Sequence, residues 1–414
     1  MGLPARLFRL VWGGEVDSAL RPVLATTFAG SVAGSTGWTF MGIWATRHLG
    51  ADKGQLGIAF LVGAVLAAAS GFVGGHLSDR FGRRPLILVG WGGMAVYMLG
   101  FLFVDGSTLT GLAYLSCAGI FGSLGGSVAQ AMVADLVPTE KHEASYASVR
   151  VAANLGVTMG PPLGSLFLLV GSWTLLFVGV SALSAAAWWL ALRYLPHRGR
   201  YAPEGPPERG SFAVILRDRP FLLFLGSSML AWLVYVAFEV VLPVSLTTTY
   251  GFAPAAWGVL VIVNPLMVTF CQLRLTRAVE HISPWVKLAV AMPLMGVPFT
   301  LLSVSAAVPV VLLVIFLFVI GEMLWVPTSQ SVVAGLAPAD LRGAYMGAFG
   351  SGAATGFALA PFFGLQIGDT YGDATMWAFF ASISIVAAAL GAVAAHGVRT
   401  RPVSEGLGAG AAVT

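Results

Sequence analysis

The stretch GHLSDRFGRR, residues 75–84, separates two long apolar segments and decides the fold. Its glycines allow another part of the chain to approach closely, and its aspartate can pair with an arginine or face a helix N-terminus. Its arginines can meet acidic side chains or lipid head groups. We interpret the stretch as a tight turn at a membrane surface, built on Gly75, Asp79, Arg80, Gly82, Arg83 and Arg84.

The composition on either side of this turn is that of a membrane protein. Of 414 residues, 57% are hydrophobic and 10% are charged, against about 25% charged in soluble domains. This excludes a disordered chain and argues against a soluble enzyme. A bilayer span needs about 20 apolar residues. Twelve such stretches occur, so we predict an all-α polytopic membrane protein with 12 transmembrane helices, at roughly 21–46, 54–75, 85–104, 109–134, 146–170, 173–194, 220–247, 255–276, 285–305, 308–333, 342–366 and 374–396.

The distribution of basic residues predicts the orientation. The net charge is +4. In a soluble protein such a balance would suggest nucleic acid, but in membrane proteins Lys and Arg collect on the cytoplasmic side. With the N-terminus inside, nearly all of the 22 Lys and Arg residues fall in inner segments, and only Arg47 and Lys53 fall outside. We therefore predict a multi-pass protein of the cell membrane with both termini cytoplasmic, and no nucleic-acid partner.

The chain also divides into two similar halves. A polar stretch at about 195–217 separates six spans from six, and VADLVP at 133–138 is echoed by VAGLAP at 333–338. Two homologous six-helix halves, related by an axis along the membrane normal, are a known transporter plan with the binding site between the halves. We predict a six-helix bundle at 1–195, a cytoplasmic linker at 196–217, a second bundle at 218–400 and a flexible tail at 401–414.

In this setting the 75–84 turn resembles the signature loop of the major facilitator superfamily. A simple positive-inside anchor is the alternative, but it would need no ordered Gly-x-x-x-Asp-Arg-x-Gly-Arg pattern. The resemblance implies conformational gating by this loop. It places Asp79 near Arg342, at the start of span eleven, and brings Arg80 or Arg83 to Asp135 at the end of span four.

Span five carries a second pattern, formed by Gly156, Gly160, Pro161 and Gly164. Glycines at this spacing make a smooth helix face that admits a neighbouring backbone, so an ordinary packing seam is one interpretation. The fuller string resembles the motif of drug:proton antiporters in the superfamily, which favours export, and the stretches 321–327 and 337–347 also resemble drug-efflux members. The window 115–118 lacks the arginine that many such antiporters carry in span four, so their proton mechanism cannot be carried over directly.

Two carboxylates inside apolar spans are the proton-coupling candidates, Glu239 in span seven and Glu322 in span ten. An unpaired charge at that depth costs several kcal/mol, so it usually faces a cavity, a partner or a proton route. Trp232 and Tyr235 share a helical face with Glu239, and an aromatic face beside an acid suits lipophilic cations. The alternative for each acid is a structural glutamate that is hydrogen-bonded between helices.

Further residues are weaker candidates for a substrate cavity. Trp325 lies on the face of Glu322, Phe40 lies in an aromatic span one, and Asn154 could contact substrate or equally bond between helices. Arg150 could pair with a glutamate or extend to the membrane surface. Asn264, next to Pro265, is predicted to mark only a kink in span eight.

Together these features predict a transporter that exports small amphipathic or hydrophobic compounds in exchange for protons, by alternating access. One alternative is a transporter of a specific metabolite, sugar or lipid, with or without proton coupling; another is a membrane receptor or assembly protein. An intramembrane enzyme lacks support, because no metal motif, nucleophile–base pair or phosphate loop is present. We expect a monomer that needs no cofactor or metal and whose partners are its small-molecule substrate, protons and the lipid bilayer.

Overall fold

A computed structural model describes residues 18–104, 107–138, 142–170, 172–197, 216–337 and 342–399. Within these ranges the chain forms twelve helical spans and no strand. The predicted all-α, twelve-helix architecture is confirmed. The spans are α1 (Arg21–Arg47), α2 (Lys53–Phe81), α3 (Arg83–Gly100), α4 (Thr108–Ser116 and Ala118–Leu136), α5 (His142–Leu169), α6 (Trp173–Tyr194), α7 (Arg219–Val236, Ala237–Val241 and Leu242–Thr248), α8 (Ala256–Leu260 and Val263–Ala278), α9 (Pro284–Gly296), α10 (Val308–Leu336), α11 (Arg342–Tyr371) and α12 (Asp373–Arg399).

Length and hydropathy mark most of these helices as membrane spans. Ten of them, α2–α7 and α9–α12, are long and apolar enough to cross a bilayer. The apolar part of α8 is shorter, at Ala256–Gln272. The helix α1 is 27 residues long but does not belong to the ten. The described chain is therefore that of a multi-pass membrane protein.

The helices pack into two groups that meet along one side. In the first group α1 packs on α5 and α6, while α3 packs on α4 and α6. In the second, α7 packs on α11 and α12, and α9 packs on α10 and α12. Between the groups, α2 contacts α11, the last segment of α7 contacts α1, and the first segment of α8 contacts α5. We call the groups the N-half and the C-half; most of the predicted linker and all of the predicted tail lie outside the described residues, and the domain boundaries remain predictions.

The glycines predicted as an antiporter motif lie in the contact between α1 and α5. A Cβ atom built on Gly156 would lie 2.6 Å from the Phe28 carbonyl oxygen. A Cβ on Gly160 would lie 1.9 Å from Ser35 Oγ. Both distances are far below van der Waals contact, so only glycine allows α5 to approach α1 this closely.

Two spans are interrupted at positions that local chemistry explains. In α8, Pro265 has no N–H to donate to the Val261 carbonyl, and the Asn264 N–H donates to that oxygen instead at 2.9 Å. The break in α8 follows from the proline. In α4, the Tyr97 hydroxyl of α3 donates to the Tyr114 carbonyl oxygen at 2.5 Å, and the helix breaks three residues later at Cys117. The sequence analysis did not predict the break in α4.

Candidate functional site

One turn of α7 is wider than the rest of the helix, and Glu239 belongs to it. Residues Ala237–Val241 form a π-helical turn, in which the Leu242 N–H donates to the Ala237 carbonyl, five residues earlier. Pro243 follows the turn. In an ordinary α-helix the N–H of residue 243 would donate to the Glu239 carbonyl, but proline has no N–H. Such turns occur frequently at functional sites. The π turn was not predicted from the sequence.

Four polar side chains from three helices of the C-half meet near this turn, and we call them the acid cluster. They are Tyr235 and Glu239 of α7, Asn264 of α8 and Glu322 of α10. Asn264 Nδ2 donates to Glu322 Oε2 at 2.7 Å, and the Tyr235 hydroxyl lies close enough to Glu322 to interact with it electrostatically. Glu239 is close enough to interact electrostatically with both Glu322 and Tyr235.

The two carboxylates of the acid cluster differ in their partners. The Glu322 carboxylate accepts from Asn264, whereas the Glu239 carboxylate forms no hydrogen bond or ion pair with any residue that the structure describes. Hydrogen bonds to a carboxylate favour its charged form, and a carboxyl group buried without them favours the neutral form. The arrangement therefore provides one fixed carboxylate and one that is free to change partner or protonation.

Aromatic rings cover the acid cluster on one side. Trp232 contacts Trp325 edge-on, with ring centroids 5.0 Å apart, and Tyr235 lies 6.0 Å from Phe318. We call these four residues the aromatic wall. The indole Nε1 atoms of Trp232 and Trp325 are buried and have no hydrogen-bond partner among the described residues. Aromatic faces attract cations, so the wall and the acids together suit an amphipathic cation; in this conformation Trp325 and Phe318 are fully buried, and a substrate would meet them only after the helices separate.

The N-half contributes fewer of the predicted site residues. Asn154 is exposed on α5, and Arg150 on the same helix is close enough to Tyr235 to interact with it electrostatically. Phe40 is fully buried, and its ring packs against Gly164. A Cβ atom built on Gly164 would lie 2.3 Å from Cε2 of the Phe40 ring. In this conformation Phe40 therefore contacts protein rather than an open cavity, and a role for it in substrate binding stays a prediction.

Sequence reasoning did not assign Asn264 to the site, although the structure places it on Glu322. An amide inside an apolar span was the available signal. Because Pro265 follows it, the sequence predicts only a kink there, and the partner lies 58 residues away in sequence. Only the packing of α8 on α10 brings the two together.

At one end of the bundle, which we call the arginine-rich side, the 75–84 turn contacts α4. Arg83 Nε donates to Asp135 Oδ2 at 3.1 Å, so Arg83 is the arginine that reaches this carboxylate. The Arg80 guanidinium lies over the Phe81 ring, 5.5 Å from its centroid. Gly82, between α2 and α3, has φ +90°, a conformation that favours glycine. Arg84 bonds to the Leu192 carbonyl of α6 at 2.5 Å.

Part of the predicted gating contact lies outside the described residues. The structure describes the helical backbone at Asp79 and Arg342 but not their side chains, nor what surrounds Gly75. The helix α11 does begin at Arg342. The pairing of Asp79 with the start of α11 stays a prediction.

The opposite end of the bundle holds the two halves together through polar side chains. Lys53 of α2 forms an ion pair with Asp373 of α12, and its Nζ atom also donates to Thr249 Oγ1 at 2.7 Å. Arg47 of α1 donates to the Thr247 carbonyl of α7. These are the two basic residues that the charge analysis placed outside the inner segments. We call these three bonds the closing contacts.

Close backbone approach accompanies the closing contacts. A Cβ on Gly57 of α2 would lie 3.0 Å from the Pro361 carbonyl oxygen of α11. Ser165 of α5 donates to the Ala255 carbonyl at 2.9 Å, beside α8. Burial raises the pKa of the Tyr250 hydroxyl above its ordinary value, so this group stays neutral where it accepts from Trp377 Nε1. The halves are therefore in direct contact on this side.

Comparisons with known proteins identify the family. The model of the Major Facilitator Superfamily matches residues 23–361. An MFS-type transporter, YqjV of Bacillus subtilis, is 26% identical over 79% of this chain and 81% of its own. A Na(+), Li(+), K(+)/H(+) antiporter of Planococcus maritimus is 25% identical over 75% and 80%, and the multidrug resistance protein MdtH of Shigella boydii is 24% identical over 74% and 75%.

Solved structures agree on the fold. The crystal structure of the nucleoside transporter NupG superposes with a TM-score of 0.73 and 13% identity, covering 91% of this chain and 99% of the other. At that identity the likeness carries the fold and not the substrate. With the family matched over most of its length and with its twelve helices in two packed groups, the chain belongs to the Major Facilitator Superfamily and is a membrane transporter.

Proposed function

We propose that the protein exports small amphipathic or hydrophobic compounds in exchange for protons, by alternating access. The observation that carries this proposal is the acid cluster, in which two carboxylates inside membrane spans lie beside an aromatic wall. Charged side chains at that depth are costly and rare, and those that occur usually mark substrate or proton pathways. The multidrug resistance relative supports drug-like compounds as the substrate class.

The protein would work in the cell membrane as a monomer, with the arginine-rich side facing the cytoplasm. The excess of Lys and Arg on that side supports this orientation. The structure would then represent a state closed to the outside by the closing contacts. Breaking these contacts, while the 75–84 turn closes the other side, would carry substrate across.

The two carboxylates would have different roles in coupling proton movement to substrate export. Glu322, whose carboxylate accepts from Asn264, would hold a cationic substrate beside the aromatic wall. Glu239, without a described partner, would take up and release the proton. A cation near Glu239 favours its charged form, so substrate binding would expel the proton.

Dye efflux tests this proposal. Cells expressing the wild type would be loaded with a lipophilic cationic dye, and efflux would be measured with and without an uncoupler. We expect uncoupler-sensitive efflux that Glu239→Gln abolishes, because an amide cannot cycle a proton. Glu322→Gln should instead weaken dye binding about tenfold, which corresponds to 1.4 kcal/mol.

A matched control is Glu280→Gln, since Glu280 is exposed in the connection between α8 and α9 and should leave efflux unchanged. If Glu239→Gln keeps uncoupler-sensitive efflux, Glu239 is not the proton carrier. If a well-expressed wild type moves no dye, drug export is wrong, and a transporter of a specific metabolite, sugar or lipid takes its place.

A second candidate is exchange of a monovalent metal cation for protons. Two carboxylates with an amide and a phenol offer oxygen ligands, and the Planococcus maritimus relative is a Na(+), Li(+), K(+)/H(+) antiporter. Everted vesicles with a pH-sensitive dye separate the candidates. Proton release on addition of NaCl or KCl would favour cation exchange if Asn264→Ala abolishes it. Transport of a bulky organic cation should depend less on Asn264.

A further inference from the structure

We propose that a cavity between α8, α9 and α10, on the arginine-rich side, binds the headgroup of an anionic phospholipid. The cavity has a volume of about 170 Å³, room for several water molecules at about 30 Å³ each. Its polar lining consists of Thr276, Lys287, Thr328 and Ser331. We call it the headgroup cavity. It is separate from the acid cluster and does not depend on the function proposed above.

One backbone carbonyl beside the headgroup cavity, which a proline leaves without its helical donor, accepts a hydrogen bond from a side chain of α8. Pro327, inside α10, has no N–H to donate to the Met323 carbonyl. Gln272 Nε2 donates to that carbonyl at 3.0 Å and to Thr276 Oγ1 at 3.1 Å. The Thr276 hydroxyl therefore accepts from Gln272, and its own proton remains available for a ligand in the cavity.

The charge of the cavity is unbalanced. Lys287 lies in the first turn of α9, where the helix dipole is already positive, and it forms no ion pair with any described residue. Glu280, the acid in the connection before α9, also forms no ion pair with a described residue, Lys287 included. Arg274 and Arg277 are exposed on α8 nearby. An anion would offset the lysine and the helix N-terminus together, and three hydroxyls supply further donors.

The depth of the cavity favours a lipid over a soluble anion. The apolar span of α9 begins at Pro284 and that of α10 ends at Val333, so Lys287 and Ser331 lie at the height of lipid headgroups. Beyond the lysine, Val286 and Val290 are 53% and 50% exposed on α9 and offer an apolar path for an acyl chain. Basic pockets between helices on the positive side are suited to anionic headgroups.

The test compares the lipids that remain bound. The full chain would be purified from mixed phosphatidylglycerol and phosphatidylcholine micelles, and bound lipids would be counted by native mass spectrometry. We expect the wild type to retain phosphatidylglycerol preferentially. Lys287→Gln should weaken retention about tenfold, the loss of one charge-assisted hydrogen bond, and Lys287→Arg should keep it. Thr328→Val with Ser331→Ala, which keeps the charge, should also weaken retention.

The matched control is Arg277→Gln, an exposed cation at the end of α8 that does not line the cavity. It should retain phosphatidylglycerol as the wild type does. The proposal is overturned if Arg277→Gln and Lys287→Gln act equally, because attraction would then be diffuse. It is also overturned if the wild type shows no preference, or if inorganic phosphate displaces the lipid, which would make the site one for a soluble anion.

Discussion

The two ends of the bundle use ion pairs in opposite ways. On the arginine-rich side, Arg83 and Asp135 both belong to the N-half, so they can move together. On the other side, Lys53 and Asp373 belong to different halves. A pair within a half stabilises that half in every conformation. A pair between halves stabilises one conformation only, and it must break when that side opens.

One distance can report on this difference. His48, at the end of α1, and Tyr371, at the end of α11, are exposed on the side of the closing contacts and lie in different halves. Spin labels at these positions, with Cys117 and Cys271 replaced by serine, would report whether that side is closed.

Gly258→Val should open the side of the closing contacts most. A Cβ at this position would lie 1.9 Å from Ser165 Oγ and 2.5 Å from the Pro161 carbonyl, both in the other half. Overpacking typically costs about 1–3 kcal/mol and occasionally more, and because a backbone oxygen cannot move aside like a side chain, we expect a cost of about 3 kcal/mol or above here. We expect a longer His48–Tyr371 distance. Gly335→Val, where nothing lies within 4 Å, is the control that should leave the distance unchanged.

Lys53→Met should have the next largest effect. It removes the ion pair and leaves Asp373 buried, and its Oδ2 atom has no partner in the described part of the chain even before the change. Losing a hydrogen bond to a charged group costs about 1.5–3 kcal/mol, so the ratio of closed to open molecules should fall about tenfold or more. Asp373→Leu in the same chain should restore part of it, because no unpaired carboxylate remains. An unchanged distance in Lys53→Met would show that the ion pair does not hold the halves together.

Arg47→Gln should change the distance little. Arg47 is exposed and donates to the Thr247 carbonyl, so a surface contact is lost that is worth about 0.5 kcal/mol. The ratio of closed to open molecules should change less than threefold. A shift as large as that of Lys53→Met would place Arg47, rather than the ion pair, at the centre of closure.

Asp135→Asn should leave the His48–Tyr371 distance unchanged while lowering stability. Arg83 would lose a charged partner within the N-half, at a cost of about 1–3 kcal/mol in the free energy of unfolding. Thermal unfolding in detergent would measure this loss. A changed distance would contradict the comparison, because it would mean that this pair also responds to the state of the opposite side.

Much of the fold could be predicted because the bilayer dictates it. Spans of about 20 apolar residues are visible in the sequence, and charges within them, such as Glu239 and Glu322, stand out. The partners of these charges could not be predicted. Asn264 meets Glu322 through helix packing, and Lys53 meets Asp373 across 320 residues of sequence. The position of Lys53 outside the inner segments indicates a special role for this lysine, but the sequence does not identify Asp373 as its partner.

The π turn in α7 has a consequence for the register of that helix. Residues of an α-helix follow one another at about 100°, and the extra residue in Ala237–Val241 shifts everything after it by one such step. Trp232 precedes the turn, whereas Thr247, which accepts from Arg47, follows it. If the turn moved along the helix by a single residue, the residue it passed would rotate by that angle. Because the turn would still lie between them, the aromatic wall and the closing contacts would keep their relative phase, and only a residue of the turn would face a new direction without any helix unfolding.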